Sequence, residues 1–412
     1  MIQRCFYFLI CLLTFFIISI VSLKHTSGDF DVYYYTSQQY IAKAPIYIAH
    51  GGINEFKYSP LFVLLFFPLT LFTKNVSIYI WSIFNIFYFY AIFYIFYKLN
   101  QFSFKSLKDL MIVVLLFALT GRYIIADYKL GQVNMLLCFL MVLTMYFEIN
   151  KKDFWAGTLL AFSLMIKFFP LLFVAYFLLR RRFKLLGFTA IMIIVFLFLP
   201  SVYSGFSLNL KYLHDWFALL KSTPPVILYS FRNNSLLAYF SWIFIVQHQI
   251  SNIFGYLLIK KGLSTQVYLA WGLSCFTLFV LFFRDTFFVK DKDPQIVYLD
   301  YSCLFVCGLL FNPLAYLNAL TFLIVPCFYI LHYLFYSQVS KKYLITISLM
   351  MMASFILLIL GTRLSFRNDN QFYAFLAVKP LMWVIVLSYL SLLIAKFSLK
   401  LKSQNIDGKH PC

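Results

Sequence analysis

The chain has 412 residues, of which 63% are hydrophobic, 22% aromatic and 12% charged, with a formal net charge of +20. So apolar a composition excludes a soluble domain. Apolar runs of about 20 residues, the length a helix needs to cross a bilayer, recur from end to end. They imply one all-α polytopic membrane protein, because a barrel would alternate apolar and polar residues instead.

The basic excess reads as cytoplasmic loops. No soluble segment joins a basic patch to base-stacking aromatics, so no nucleic acid partner is expected. The eight cysteines form no framework. Cys303 and Cys307 share a helix face without a nearby His, and they read as packing residues.

Twelve spans are expected, in a bundle with interfacial helices and extracytoplasmic loops. The first, Phe6–Leu23, follows Arg4 and lacks a small-x-small cleavage site, so it reads as an uncleaved span starting in the cytoplasm. Val76–Tyr97, Leu110–Ala126 and Gln132–Ile149 follow. Next come the short Phe154–Ile166 and Phe168–Leu179, separated by Lys167 through Pro170, where proline ends a helix. Phe183–Pro200, Thr265–Phe283, Ile296–Phe311, Ala319–Phe335, Tyr343–Gly361 and Pro380–Ala395 complete the set.

Leu61–Phe72 and Leu236–Ile259 read as helices lying in the outer interface. This assignment puts Lys151-Lys152, Arg180-Arg181-Arg182, Lys341-Lys342 and the Lys-rich tail inside, with both termini cytoplasmic. The chain then reads as a single domain, 1–412, in a membrane. Its two large extracytoplasmic loops are 24–75 and 201–264.

With that topology the polar residues gather on the outer face. Asp29 and Asp31 open the first loop, just past a span. A carboxylate there can take a proton from a sugar hydroxyl. Transfer from a phosphate-linked donor needs one such base, because the phosphate is already a good leaving group. A glycosidase needs two carboxylates in separate roles. The same pair can alternatively hold a divalent cation through oxygen ligands; no other cofactor is implied.

Lys167 reads either as a snorkelling lysine or as a cation for a lipid phosphate. Arg232 can hold phosphate oxygens bidentately. Gln132 and Asn134 supply amides for sugar hydroxyls. Tyr33, Tyr58, Asn234 and Asn318 join them as candidate substrate-binding residues.

Taken in order, these motifs resemble the GT-C superfamily, and most closely glycosyltransferase family 87. The resemblance is carried by Asp29-Phe30-x-Val32-Tyr33, Ile46-Tyr47, Phe56-x-Tyr58-x-Pro60-Leu61, Gly131-Gln132-x-Asn134, Ala156-Gly157 through Lys167-x-x-Pro170, and Asn234-Ser235-Leu236. It covers most of Asp29 to about Pro326.

The resemblance implies a catalytic aspartate at Asp29, an outer-face active site and a polyprenyl-phosphate sugar donor. It implies a hexosyltransferase, mannosyltransferase-like, with a lipid or glycan acceptor among the membrane lipids. The chain departs from the family at Ser59-Pro60, where Pro-Pro is common. It departs again at Asn312 to Asn318, where a Trp and a His are common.

The alternative from another class is a transporter or flippase of a lipid-linked saccharide. That reading calls for charges at mid-membrane and discontinuous helices in matching halves. In the expected topology the charges cluster at one face, which favours the enzyme.

Overall fold

The computed structural model describes residues 28–48, 55–100, 106–221, 233–247, 264–287, 294–360 and 379–407. Every assigned element among them is helical. Among the described residues eight helices are long and apolar enough to cross a membrane, and each coincides with one of the twelve expected spans. Phe6–Leu23 lies outside the described residues, as does Arg232. The chain divides into two compact units.

The first unit comprises 1–106 and 124–223. Its first described helix, α1 (Asp29–Ile41), occupies what the sequence alone suggests is a loop. Gly28 caps it in an extended conformation, and Asp29 and Asp31 in the first turn complement the positive helix end. Lys43 at φ 54° closes it, and Pro45 prevents its extension.

Helix α2 (Pro60–Phe66) starts on a proline at its first position. Pro68 then tightens the chain into a 3₁₀ turn, Phe67–Leu71. Phe30, Tyr33, Phe62 and Phe66 lock α1 onto α2 through edge-to-face and tilted ring contacts.

Helix α3 (Lys74–Asn100) has 27 residues, about 40 Å, and spans with ease. Helix α4 (Leu107–Leu130) begins in the second unit and ends in the first. Helices α5 (Asn134–Ile149), α6 (Asp153–Ile166) and α7 (Leu171–Leu179) have 16, 14 and 9 residues. At about 1.5 Å per residue each falls short of a roughly 30 Å hydrocarbon core. Only one of these three shortfalls is new: the sequence reading treated Gln132–Ile149 as a full crossing.

Helices α8 (Phe183–Phe198), α9 (Ser201–Ser204) and α10 (Phe206–Leu220) complete the unit. Helix α6 packs tightly on α8 at Gly157, where a Cβ would lie 2.7 Å from the Leu185 carbonyl oxygen. A small residue at a membrane helix crossing lets the backbones meet. Arg182 ties three helices together, reaching Glu148 at 3.3 Å and Asp153 at 3.0 Å.

The second unit holds the start of α4 with α11 (Leu236–Gln247), α12 (Ser264–Phe287), α13 (Pro294–Phe311), a 3₁₀ segment Leu317–Leu323, α14 (Ile324–Tyr336), α15 (Lys341–Leu360) and α16 (Pro380–Asp407). The stretch from Leu317 to Tyr336 and helix α13 are largely buried, whereas few residues of α12 and α15 are buried. Helix α11 has 12 residues, too few to cross; the rest of Leu236–Ile259 lies outside the described residues.

Two features of this unit differ from the sequence reading. Helix α16 runs well past Ala395, so Lys396 is not part of a tail. Its ammonium lies 2.6 Å from Asp300 of α13, both side chains fully buried, and 4.9 Å from the Phe282 ring centroid. A charge pair therefore sits within two candidate spans, and the expectation that charges gather at one face does not hold for this unit.

Candidate active site

The site is built at the end of α4. Gly131 adopts φ +61°, and the chain closes with Gln132 N–H on the Asp127 carbonyl and Gly131 N–H on that of Tyr128. These are the two bonds of a Schellman closure. Trp81 of α3 donates its indole N–H to the Gly131 carbonyl at 2.9 Å, pinning the turn. Gln132 is thereby presented to the first turn of α1, and Asn134 opens α5.

Gln132 is the centre of the arrangement. Its amide N–H donates to Asp29 Oδ2. Its Oε1 accepts from Tyr33 at 3.2 Å and from Tyr58 at 3.4 Å. The two phenols lie 2.8 Å apart, so their two protons are shared among these three contacts. Lys167 approaches the same oxygen at 3.5 Å. One amide thus has a carboxylate at its nitrogen end and an ammonium toward its oxygen end.

Lys167 stands at the helix break that Pro170 marks in the sequence. It ends α6 in an extended conformation (φ −146°, ψ 154°), and α7 begins after Pro170. Its ammonium donates to Asn134 Oδ1 at 2.6 Å and lies 5.8 Å from the Tyr58 ring centroid. Tyr58 is held in turn by Tyr47, whose hydroxyl donates to the Tyr58 carbonyl at 2.9 Å.

Burial shifts both charged groups toward neutrality. It raises the Asp29 pKa above the ordinary aspartate value, against the opposing pull of the Gln132 hydrogen bond and the Lys167 charge. It lowers the Lys167 pKa, against Asp127 and Asp29, which favour the charged form. A carboxylate so placed is a stronger base than one in water.

The structure brings together Asp29, Tyr33, Tyr58, Gln132, Asn134 and Lys167. Asp31 goes elsewhere. Two positions along a helix are about 200° apart around its axis, and Asp31 pairs with Lys74 at 2.8 Å. The two aspartates therefore do not converge on one cation. No group of three or more His, Cys, Asp or Glu side chains suited to a metal occurs among the described residues. The residues do not fit a shared metal site.

Asn234 and Asn318 are buried in the second unit. There Asn233 clasps two segments: its amide donates to the Pro313 carbonyl at 2.7 Å, and its Oδ1 accepts from the backbone N–H groups of Ser235 and Ala315. The Asn234 N–H donates to the Ala315 carbonyl at 2.8 Å.

Sequence reasoning passed over Asp127 as a site residue. It is buried and accepts from Asn134 Nδ2 at 2.7 Å and from the Met135 N–H at 3.2 Å. The available signal was an acidic residue directly after the expected span Leu110–Ala126 and seven positions before Asn134.

No curated protein matches the chain. Among solved structures, the crystal structure of ArnT from Cupriavidus metallidurans in the apo state aligns at 13% identity with a TM-score of 0.35, over 96% of this chain and 78% of that one. The family model of glycosyltransferase family 87 matches residues 56–313, more than half of the chain, and the chain is a membrane glycosyltransferase of that family.

Proposed function

We propose that this enzyme transfers a hexose, mannose by family resemblance, from a polyprenyl-phosphate donor to a lipid or glycan acceptor. The reaction takes place at the outer face of a bacterial plasma membrane. Residues 1–412 act as a single domain with both termini cytoplasmic. The observation that carries the proposal is the Gln132 bridge between Asp29 and Lys167.

Asp29 takes the proton of the acceptor hydroxyl as its oxygen attacks the anomeric carbon. The bond to the phosphate oxygen breaks on the opposite face, so one displacement inverts that centre. Lys167 faces the departing phosphate and stabilises the charge that grows there. Gln132 keeps base and cation from collapsing into a direct salt bridge, which would hold Asp29 in a less basic state. Tyr33 and Tyr58 orient Gln132, and their hydroxyls supply hydrogen bonds for sugar hydroxyls.

The test is Asp29→Asn in purified protein, with transfer of labelled sugar from polyprenyl phosphate to a membrane lipid extract. Asn preserves the shape but cannot take a proton. The expected loss is on the order of 10²–10⁴ in rate, with donor binding retained. Wild-type turnover in this variant would remove Asp29 as the base. The transporter reading would then be taken up by assaying movement of the lipid-linked saccharide across liposomes.

A further inference from the structure

We propose that Asp127 is a positioning residue that fixes Lys167 through Asn134; this rests on the reading of Lys167 as the cation for the donor phosphate. Asp127 lies in the last turn of α4 with 1% of its surface exposed. Its Oδ1 accepts from Asn134 Nδ2 at 2.7 Å, and its Oδ2 accepts from the Met135 N–H at 3.2 Å.

A carboxylate only accepts. It therefore compels Asn134 to turn its NH₂ toward Asp127 and its oxygen toward Lys167, which it meets at 2.6 Å. The ammonium is thus held in place by a neutral amide whose orientation a buried anion dictates.

An asparagine at 127 offers one oxygen and one NH₂ where the site needs two acceptors. Either the Met135 N–H loses its partner, or Asn134 turns over and points its NH₂ at the ammonium. Exchanging the two residues resolves this. In D127N/N134D the new amide at 127 donates to the carboxylate at 134 and accepts from Met135. The carboxylate accepts Lys167 with its other oxygen, and the net charge is unchanged.

The experiment measures binding of polyprenyl phosphate to the purified full-length protein, with size-exclusion chromatography in detergent to check folding. D127N is expected to weaken binding by about 10- to 100-fold, the range for hydrogen bonds to charged groups, and K167M by a similar factor. D127N/K167M binds no more weakly than K167M, because Asp127 acts through Lys167. D127N/N134D recovers most of the affinity.

Wild-type affinity in folded D127N overturns the proposal, as do penalties that multiply in the double variant. If D127N does not fold, the exchange variant decides. A folded, binding exchange variant supports the proposal; one that is unfolded or does not bind overturns it. Wild-type affinity in K167M removes the phosphate role of Lys167, and this inference with it. Weak binding in K167M beside tight binding in D127N removes this inference alone.

Discussion

Gly131 approaches Phe30 so closely that a Cβ on the glycine would lie 2.5 Å from the phenylalanine Cβ. The same glycine has φ +61°. This contact sets the end of α4 against α1, and so fixes how far Gln132 stands from Asp29. Gly131→Ala is expected to be destabilised by roughly 2–4 kcal/mol, combining left-handed strain with overpacking. The melting temperature in detergent should fall and transfer should fall with it. An unchanged melting temperature and rate would mean that the turn is not under this constraint.

The pH dependence of transfer follows from the sign of the Asp29 shift. A base must be charged to act, and burial raises its pKa. Activity should therefore be lost as pH falls through a range above that of an ordinary aspartate. In Lys167→Met the ammonium no longer favours the carboxylate form, so the acid limb of the residual activity should move to higher pH. A profile of kcat/KM against pH for both proteins checks this, and an unmoved or lowered limb argues against electrostatic contact between the two groups.

Asp31 and Lys74 form an ion pair with side chains 8% and 34% exposed. Asp31→Asn should leave transfer near wild type and lower thermal stability modestly. Lys74→Met should be the more destabilising of the two, because it leaves a buried carboxylate without its cation. Thermal unfolding and transfer assays on both variants separate this ion-pair role from a catalytic one. Loss of transfer in a stable Asp31→Asn protein would restore Asp31 to the chemistry.

The Asp300–Lys396 pair gives a stronger stability effect. Removing one partner, as in Lys396→Met, should cost about 3–5 kcal/mol by leaving the buried Asp300 carboxylate without the Lys396 cation. Asp300→Asn combined with Lys396→Met should recover part of that loss, since no ion then remains. Thermal unfolding of the single and double variants measures the coupling. Additive penalties would show that the two residues stabilise the fold independently.

Local chemistry made much of this protein legible. Apolar length marked the eight described helices that are long and apolar enough to cross, because a bilayer demands about 20 apolar residues whatever the fold. Pro170 marked the break after Lys167, since proline cannot continue a helix. Asp29, Gln132, Asn134 and Lys167 stood out as polar groups where burial is costly.

Tertiary structure decided the rest. Asp29 and Gln132 are 103 residues apart, and no local pattern states that one amide joins them. Asp31 looked equivalent to Asp29 until α1 formed and turned the two carboxylates to opposite sides. Asp127 and Lys396 gained their roles only from partners on other helices. Hydrophobicity and helix breaking act over a few neighbouring residues and are written in sequence. The fate of a buried charge depends on what packing brings within hydrogen-bond reach, and only the folded chain determines that.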